Sequence, residues 1–206
     1  METHSTDKGA GWRSWLAFLV GFFALQVVGW VIFPALLYGT KTQPLNFSHK
    51  AHVENAGVGC EDCHAFREDG TFAGIPNVAK CKECHESAVT ESPAEATLIS
   101  EYIAKNKEIP WLVYARQPDC VFFSHAAHVK LGQMECTICH GDHGKTDQLR
   151  PYQYNRITKY SRDIWGKYIS GIYAFKKHPY DSMKMDDCGT CHKEQHVSNA
   201  CFVCHK

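Results

Sequence analysis

"NFSHKAHVENAGVGCEDCH", residues 46–64, is the stretch whose reading decides the fold. It closes on Cys60-x-x-Cys63-His64, and four more segments close the same way: Cys81/Cys84/His85, Cys136/Cys139/His140, Cys188/Cys191/His192 and Cys201/Cys204/His205. Two thiols three positions apart on a helical turn reach the two vinyl groups along one porphyrin edge. The next residue then sets an imidazole under the iron as proximal ligand. Zinc would need pairs that combine into four-ligand sites, and five pairs do not divide that way. Redox disulfides within C-x-x-C give no reason for a histidine after every second cysteine, nor for five occurrences. Five haem c groups are therefore expected. Covalent haem c is assembled outside the cytoplasm, so the motif-bearing region, residues 39–206, should face the periplasm.

The opening stretch has a second copy. "FFSHAAHVKLGQMECTICH", residues 122–140, aligns with residues 46–64 at a fixed offset, and Phe47, Ser48, His49, His52 and the cysteine motif match Phe123, Ser124, His125, His128 and theirs. Two copies with every ligand in register read as duplicated haem modules. Pro118 and residues 141–144 look like boundaries between modules.

Thirteen histidines are present. Setting aside His4 and the five proximal residues leaves His49, His52, His125, His128, His143, His178 and His196 as distal ligands. Met183 and Met185 are rival ligands that would raise a potential. Six-coordinate, bis-histidine irons have no open position for substrate, so the chain reads as an electron carrier without catalytic residues. Cys120 stands outside the pairs. It reads either as a small buried residue or as the single thioether of a sixth haem, which the twelve histidines left after His4 would suffice to ligate.

Residues 15–38 are apolar throughout, with Gln26 the one strongly polar side chain. At about 1.5 Å per residue the run spans a hydrocarbon core of about 30 Å. No small-x-small cleavage site follows in "YGTKTQPLNFSH", which favours an uncleaved signal anchor over a removed leader. Residues 1–14 then form a short cytoplasmic N-terminus and residues 39–206 a periplasmic domain. Trp12, Trp15 and Tyr38 sit at the ends of the run, as interfacial aromatics do.

Formal charge is balanced, 22 basic against 22 acidic side chains. That gives no reason to expect nucleic acid. The haem propionates would make the assembled domain acidic and suited to a basic electron-transfer partner. Regular secondary structure should be sparse. Residues 92–109 read as one helix, with Ser92 as N-cap and Pro93 in the first turn, and residues 155–173 as another. Residues 150–180 interleave basic and aromatic side chains, readable as a cover over haem or as a docking surface for partner subunits.

F-S-H-x-x-H followed by C-x-x-C-H resembles the class III cytochromes c and their trihaem relatives. The resemblance implies a multihaem fold with few short helices. It also implies that His49 and His125 serve the haem attached just downstream, while His52 and His128 cross to other haems. The whole chain is similar to the multihaem subunit of the alternative complex III family, in particular of the quinone reductase complex of sulfate reducers. That likeness implies electrons arriving from a periplasmic tetrahaem cytochrome c. They would then pass through iron–sulfur (molybdopterin-type) subunits to menaquinone at an integral membrane subunit, during sulfate respiration. A quinol-oxidising complex of the same family, a self-sufficient membrane-anchored quinol dehydrogenase and a multihaem enzyme are the competing readings.

Overall fold

The computed structural model describes residues 8–71, 73–114, 119–160, 183 and 185–205. The chain begins in a long helix: α1 (Lys8–Val27), five residues of wider i→i+5 turns (Val28–Ile32), and α2 (Phe33–Leu37). The wider turns lie just before Pro34, which has no N–H to continue an ordinary ladder. Gly11–Leu37 is long and apolar enough to cross a membrane, with mean hydropathy 2.3, and no part of its apolar stretch is buried among the described residues. Helix formation starts earlier than the apolar run, because hydrogen bonding through residues 8–14 does not depend on where apolar residues begin.

No linker follows the helix. Strand β1 (Tyr38–Lys41) starts at the next residue and pairs antiparallel with β2 (Tyr152–Asn155), Tyr38 opposite Asn155 and Lys41 opposite Tyr152. Leu37 C=O accepts from Arg156 N–H at 2.8 Å and extends the clasp. Gly39 lies beneath the Tyr154 ring, where a Cβ would come within 2.7 Å of the ring carbon Cζ. Lys41 Nζ stands 5.0 Å from the same ring, and the Arg150 guanidinium 4.6 Å from that of Tyr114. Arg150 and Tyr154, at the start of the 150–180 segment, thus make cation–π contacts with Tyr114 and Lys41 from earlier in the chain.

The expected helix over 155–173 does not begin at 155. Asn155 Oδ1 accepts from the N–H groups of Ile157 and Thr158, and Lys159 is left-handed at φ 65°. An asparagine that bonds its own backbone offers the chain a turn in place of a helix. Residues 161–173 of that segment lie outside the described residues, as do Pro118 and His178.

The remaining helices are short: α3 (Cys60–Cys63), α4 (Val78–His85), α5 (Pro93–Thr97), α6 (Cys136–His140), α7 (Met185–Glu194) and α8 (Cys201–Cys204). Each of the five C-x-x-C pairs lies within one of them. The helix expected at 92–109 is α5 continued as wider turns over Leu98–Ile103, and it stops at Asn106, left-handed at φ 46°. Ser92 has the extended backbone of an N-cap, but its hydroxyl makes no capping bond.

Among the described residues only Leu45, Val78, Leu98, Tyr102 and Ile109 are buried apolar side chains, gathered where α4 meets the Leu98–Ile103 turns. Ile138 and Phe202 are exposed within their cysteine motifs, and Phe122 is exposed two residues after Cys120. The described residues form mostly helices and loops with one two-stranded sheet, and the core they make among themselves is small.

Candidate functional site

The F-S-H-x-x-H stretch folds identically in its two copies, and each residue has a role. Ser48 Oγ accepts from Ala51 N–H at 3.0 Å and Ser124 Oγ from Ala127 N–H at 3.4 Å, starting a helical turn. One turn on, the second histidine donates Nδ1–H back to the serine carbonyl, His52 to Ser48 and His128 to Ser124, both at 2.8 Å. The phenylalanine stacks on that ring, Phe47 on His52 at 4.3 Å and Phe123 on His128 at 4.6 Å between centroids. It also meets the first histidine edge-on, at 4.9 Å for His49 and 4.8 Å for His125. The turns close with the same bonds, Val58 N–H to His52 C=O and Met134 N–H to His128 C=O.

These imidazoles face the proximal ones in four pairs. His49 lies 6.5 Å from His64 and His125 lies 6.2 Å from His140, centroid to centroid and near parallel. His52 lies 6.0 Å from His85, and His128 lies 6.0 Å from His192. Each second histidine therefore faces the motif after its own.

A ring nitrogen whose partner can only accept must carry the proton. His64 Nδ1–H donates to Gly74 C=O, His125 to Thr71 C=O and His192 to Ser198 C=O, at 2.8, 3.1 and 2.8 Å. His85 Nδ1–H donates to the Glu95 carboxylate at 2.6 Å. With Nδ1 protonated, each of these rings keeps its lone pair on Nε2. Two metal–imidazole bonds of about 2 Å each, plus the half-width of each ring, bring centroids to about 6 Å when one ion sits between them. The pairs fit an axial ion whose other ligands come from a macrocycle. Among the described residues no three His, Cys, Asp or Glu side chains converge on a bare ion.

His49 is pushed down to about 4 by burial and by His143, His64 and His52 around it. That keeps it neutral, as a ligand must be. Its ring stands 5.6 Å from His143, which brings a third imidazole to this first pair. His205 and His196 are exposed, His205 near the chain end in a bridge with Val121 and His196 in a left-handed turn after α7. Met183 N–H bonds Cys139 C=O, and Met185 is exposed at the start of α7.

The cysteines of different motifs are neighbours. Burial raises the Cys63, Cys136, Cys139 and Cys188 thiols. Cys84 adds to the effect at Cys63, Cys60 at Cys136, Cys191 at Cys139, and Cys139 and Cys204 at Cys188. Followed through space, the motifs run from Cys81/Cys84 to Cys60/Cys63, Cys136/Cys139, Cys188/Cys191 and Cys201/Cys204. Cys120 is exposed, so it is not a small buried packing residue. Its neighbour Phe122 donates N–H to Cys204 C=O at 2.7 Å, which ties this segment to the last motif.

Sequence reasoning missed the acceptors that fix the ring protons: Gly74, Thr71, Ser198 and Glu95. Only Ser48 and Ser124 had a visible signal, as residues of the repeat itself.

Residues 34–110 match the class III cytochrome c family. Over 204 residues the chain is 42% identical to the "menaquinone reductase, multiheme cytochrome c subunit" of Nitratidesulfovibrio vulgaris (Hildenborough), covering 92% of this chain and 89% of that one. Such identity across both lengths, together with the repeated motifs, leaves one assignment: the chain belongs to the family of multihaem cytochromes c built on class III modules.

Proposed function

We propose that this chain is the membrane-anchored electron-transfer subunit of a quinone reductase complex. It would take electrons from a periplasmic tetrahaem cytochrome c and hand them, through iron–sulfur subunits, toward menaquinone at an integral membrane subunit. The observation that carries the reading is the set of four facing imidazole pairs at 6.0–6.5 Å, attached to cysteine motifs that adjoin one another in series. Haem c, when bound, supplies reversible one-electron chemistry. The paired imidazoles of this chain would hold the iron from either side and leave no position for substrate.

In this reading His49 with His64, His52 with His85, His125 with His140 and His128 with His192 are axial pairs. His205 is the proximal ligand at the last motif, and His143, His178 and His196 complete the remaining sites. Five haems follow from the motifs and a sixth from Cys120 through a single thioether. The exposure of Cys120, its tie to the last motif and the number of histidines support that sixth site. The apolar helix Gly11–Leu37 anchors the domain, and its length and hydropathy support the anchor; residues 1–14 are cytoplasmic and the haem domain periplasmic, since haem c is attached outside the cytoplasm.

Purification in mild detergent tests the function. Co-purification with iron–sulfur and integral membrane subunits, and menaquinone reduction by the complex when a reduced tetrahaem cytochrome c is supplied, are the expected results. A chain that purifies alone and oxidises menaquinol would be a self-sufficient quinol dehydrogenase, and a complex driven only by quinol would be a quinol-oxidising relative. The intact denatured mass with a pyridine haemochrome assay counts five haems or six.

A further inference from the structure

Glu95 makes His85 chemically different from the proximal histidines whose Nδ1 meets a backbone carbonyl. A carbonyl is a neutral acceptor, as at His64 and His192. At His85 the acceptor is a carboxylate at 2.6 Å. It is 6% exposed, covered by its own turn and not by depth of protein.

The carboxylate is locked in place. Oε1 also accepts from Val89 N–H at 2.8 Å, and Oε2 accepts from Thr90 N–H at 2.7 Å and from the Thr90 hydroxyl. Residues 89–90 thus wrap the acid, while α5 delivers it from its first turn. Those donors fix both carboxylate oxygens, so that Oε1 is held against the imidazole. No lysine or arginine bonds it among these contacts, so the charge is directed at the imidazole.

We infer that Glu95 is a positioning residue that lowers the reduction potential of the site built on His85 and His52. Its negative charge draws the Nδ1 proton, makes the imidazole a stronger donor at Nε2, and so favours the ferric over the ferrous state of the iron that ring ligates. The proton stays on His85 Nδ1 in both states, and one electron is exchanged. This rests on His85 being an axial ligand. In a chain of one-electron sites, the one tuned low holds an electron most briefly and passes it to its neighbour.

The test is Glu95→Gln in the full chain within its complex, followed by redox titration and low-temperature electron paramagnetic resonance. Gln keeps an acceptor for His85 but removes the charge. One component potential should rise, by about tenfold in the ferric–ferrous equilibrium or about 59 mV for a one-electron couple, and one low-spin signal should move with it. Thr90→Val removes one competing donor and keeps the charge, so the same component should move in the opposite direction. This variant carries the test if Glu95→Gln fails to mature. Titrations that superimpose on the parent, with every signal low-spin and unmoved, overturn the inference about Glu95 and leave the ligand reading standing. A high-spin site at the Cys81/Cys84 motif in the parent protein overturns the ligand reading instead.

Discussion

His52 and His128 face imidazoles outside their own motifs, and that crossing makes single substitutions diagnostic. His52→Ala should open one axial position, at the site attached through Cys81 and Cys84 and not the one through Cys60 and Cys63. Carbon monoxide should bind the reduced variant at one equivalent per chain. The binding should vanish when Cys81 and Cys84 are also replaced, and persist when Cys60 and Cys63 are. Phe123→Leu probes the clamp on the same kind of residue. Losing the ring that stacks on His128 should lower stability by about 1 kcal/mol, measured as the denaturation midpoint of the holoprotein. The Phe-Ser-His-x-x-His pattern stands out in sequence because both copies keep it. Why it needs Phe and Ser became clear only in three dimensions, where the serine starts the turn and the ring holds both imidazoles.

Loop 65–74 joins the two copies. Gly74 C=O accepts from His64 of the first, while Thr71 C=O accepts from His125 and Gly70 C=O from Ala126 of the second. Gly70 is left-handed at φ 68°, and a Cβ there would lie 2.9 Å from the Ala126 Cβ. Gly70→Ala should therefore cost more than about 1 kcal/mol in a denaturant titration, with the His125 site the first to change spectroscopically. Nothing in the stretch 65–74 announces this task, because its three working atoms are backbone carbonyls that every residue carries. Glu95 was hidden for a related reason. In sequence it is an acid in the first turn of a helix, where acids are ordinary. The turn at Asn155 went the other way: residues 155–173 read as a helix, and the asparagine side chain claimed the backbone first.

At the scale of the whole molecule, the described residues hold only five buried apolar side chains, few for so long a stretch of chain. Chain made without haem attachment should show weak helical circular dichroism and no cooperative thermal transition. A sharp transition in that material would mean that the polypeptide has a core of its own. The fold class could be read from sequence because the cysteine motifs and the Phe-Ser-His-x-x-His repeat keep a fixed spacing. The β1–β2 clasp could not, since its strands are four residues long and lie more than a hundred positions apart.

That clasp has a mechanical consequence. Tyr38 is paired with Asn155 immediately after the helix ends at Leu37, and Leu37 itself bonds Arg156. No residue remains to act as a swivel, so torque on the helix is delivered straight into the segment that follows the third cysteine motif. A neighbouring protein that grips the helix thereby also dictates which flank of the domain its other subunits meet.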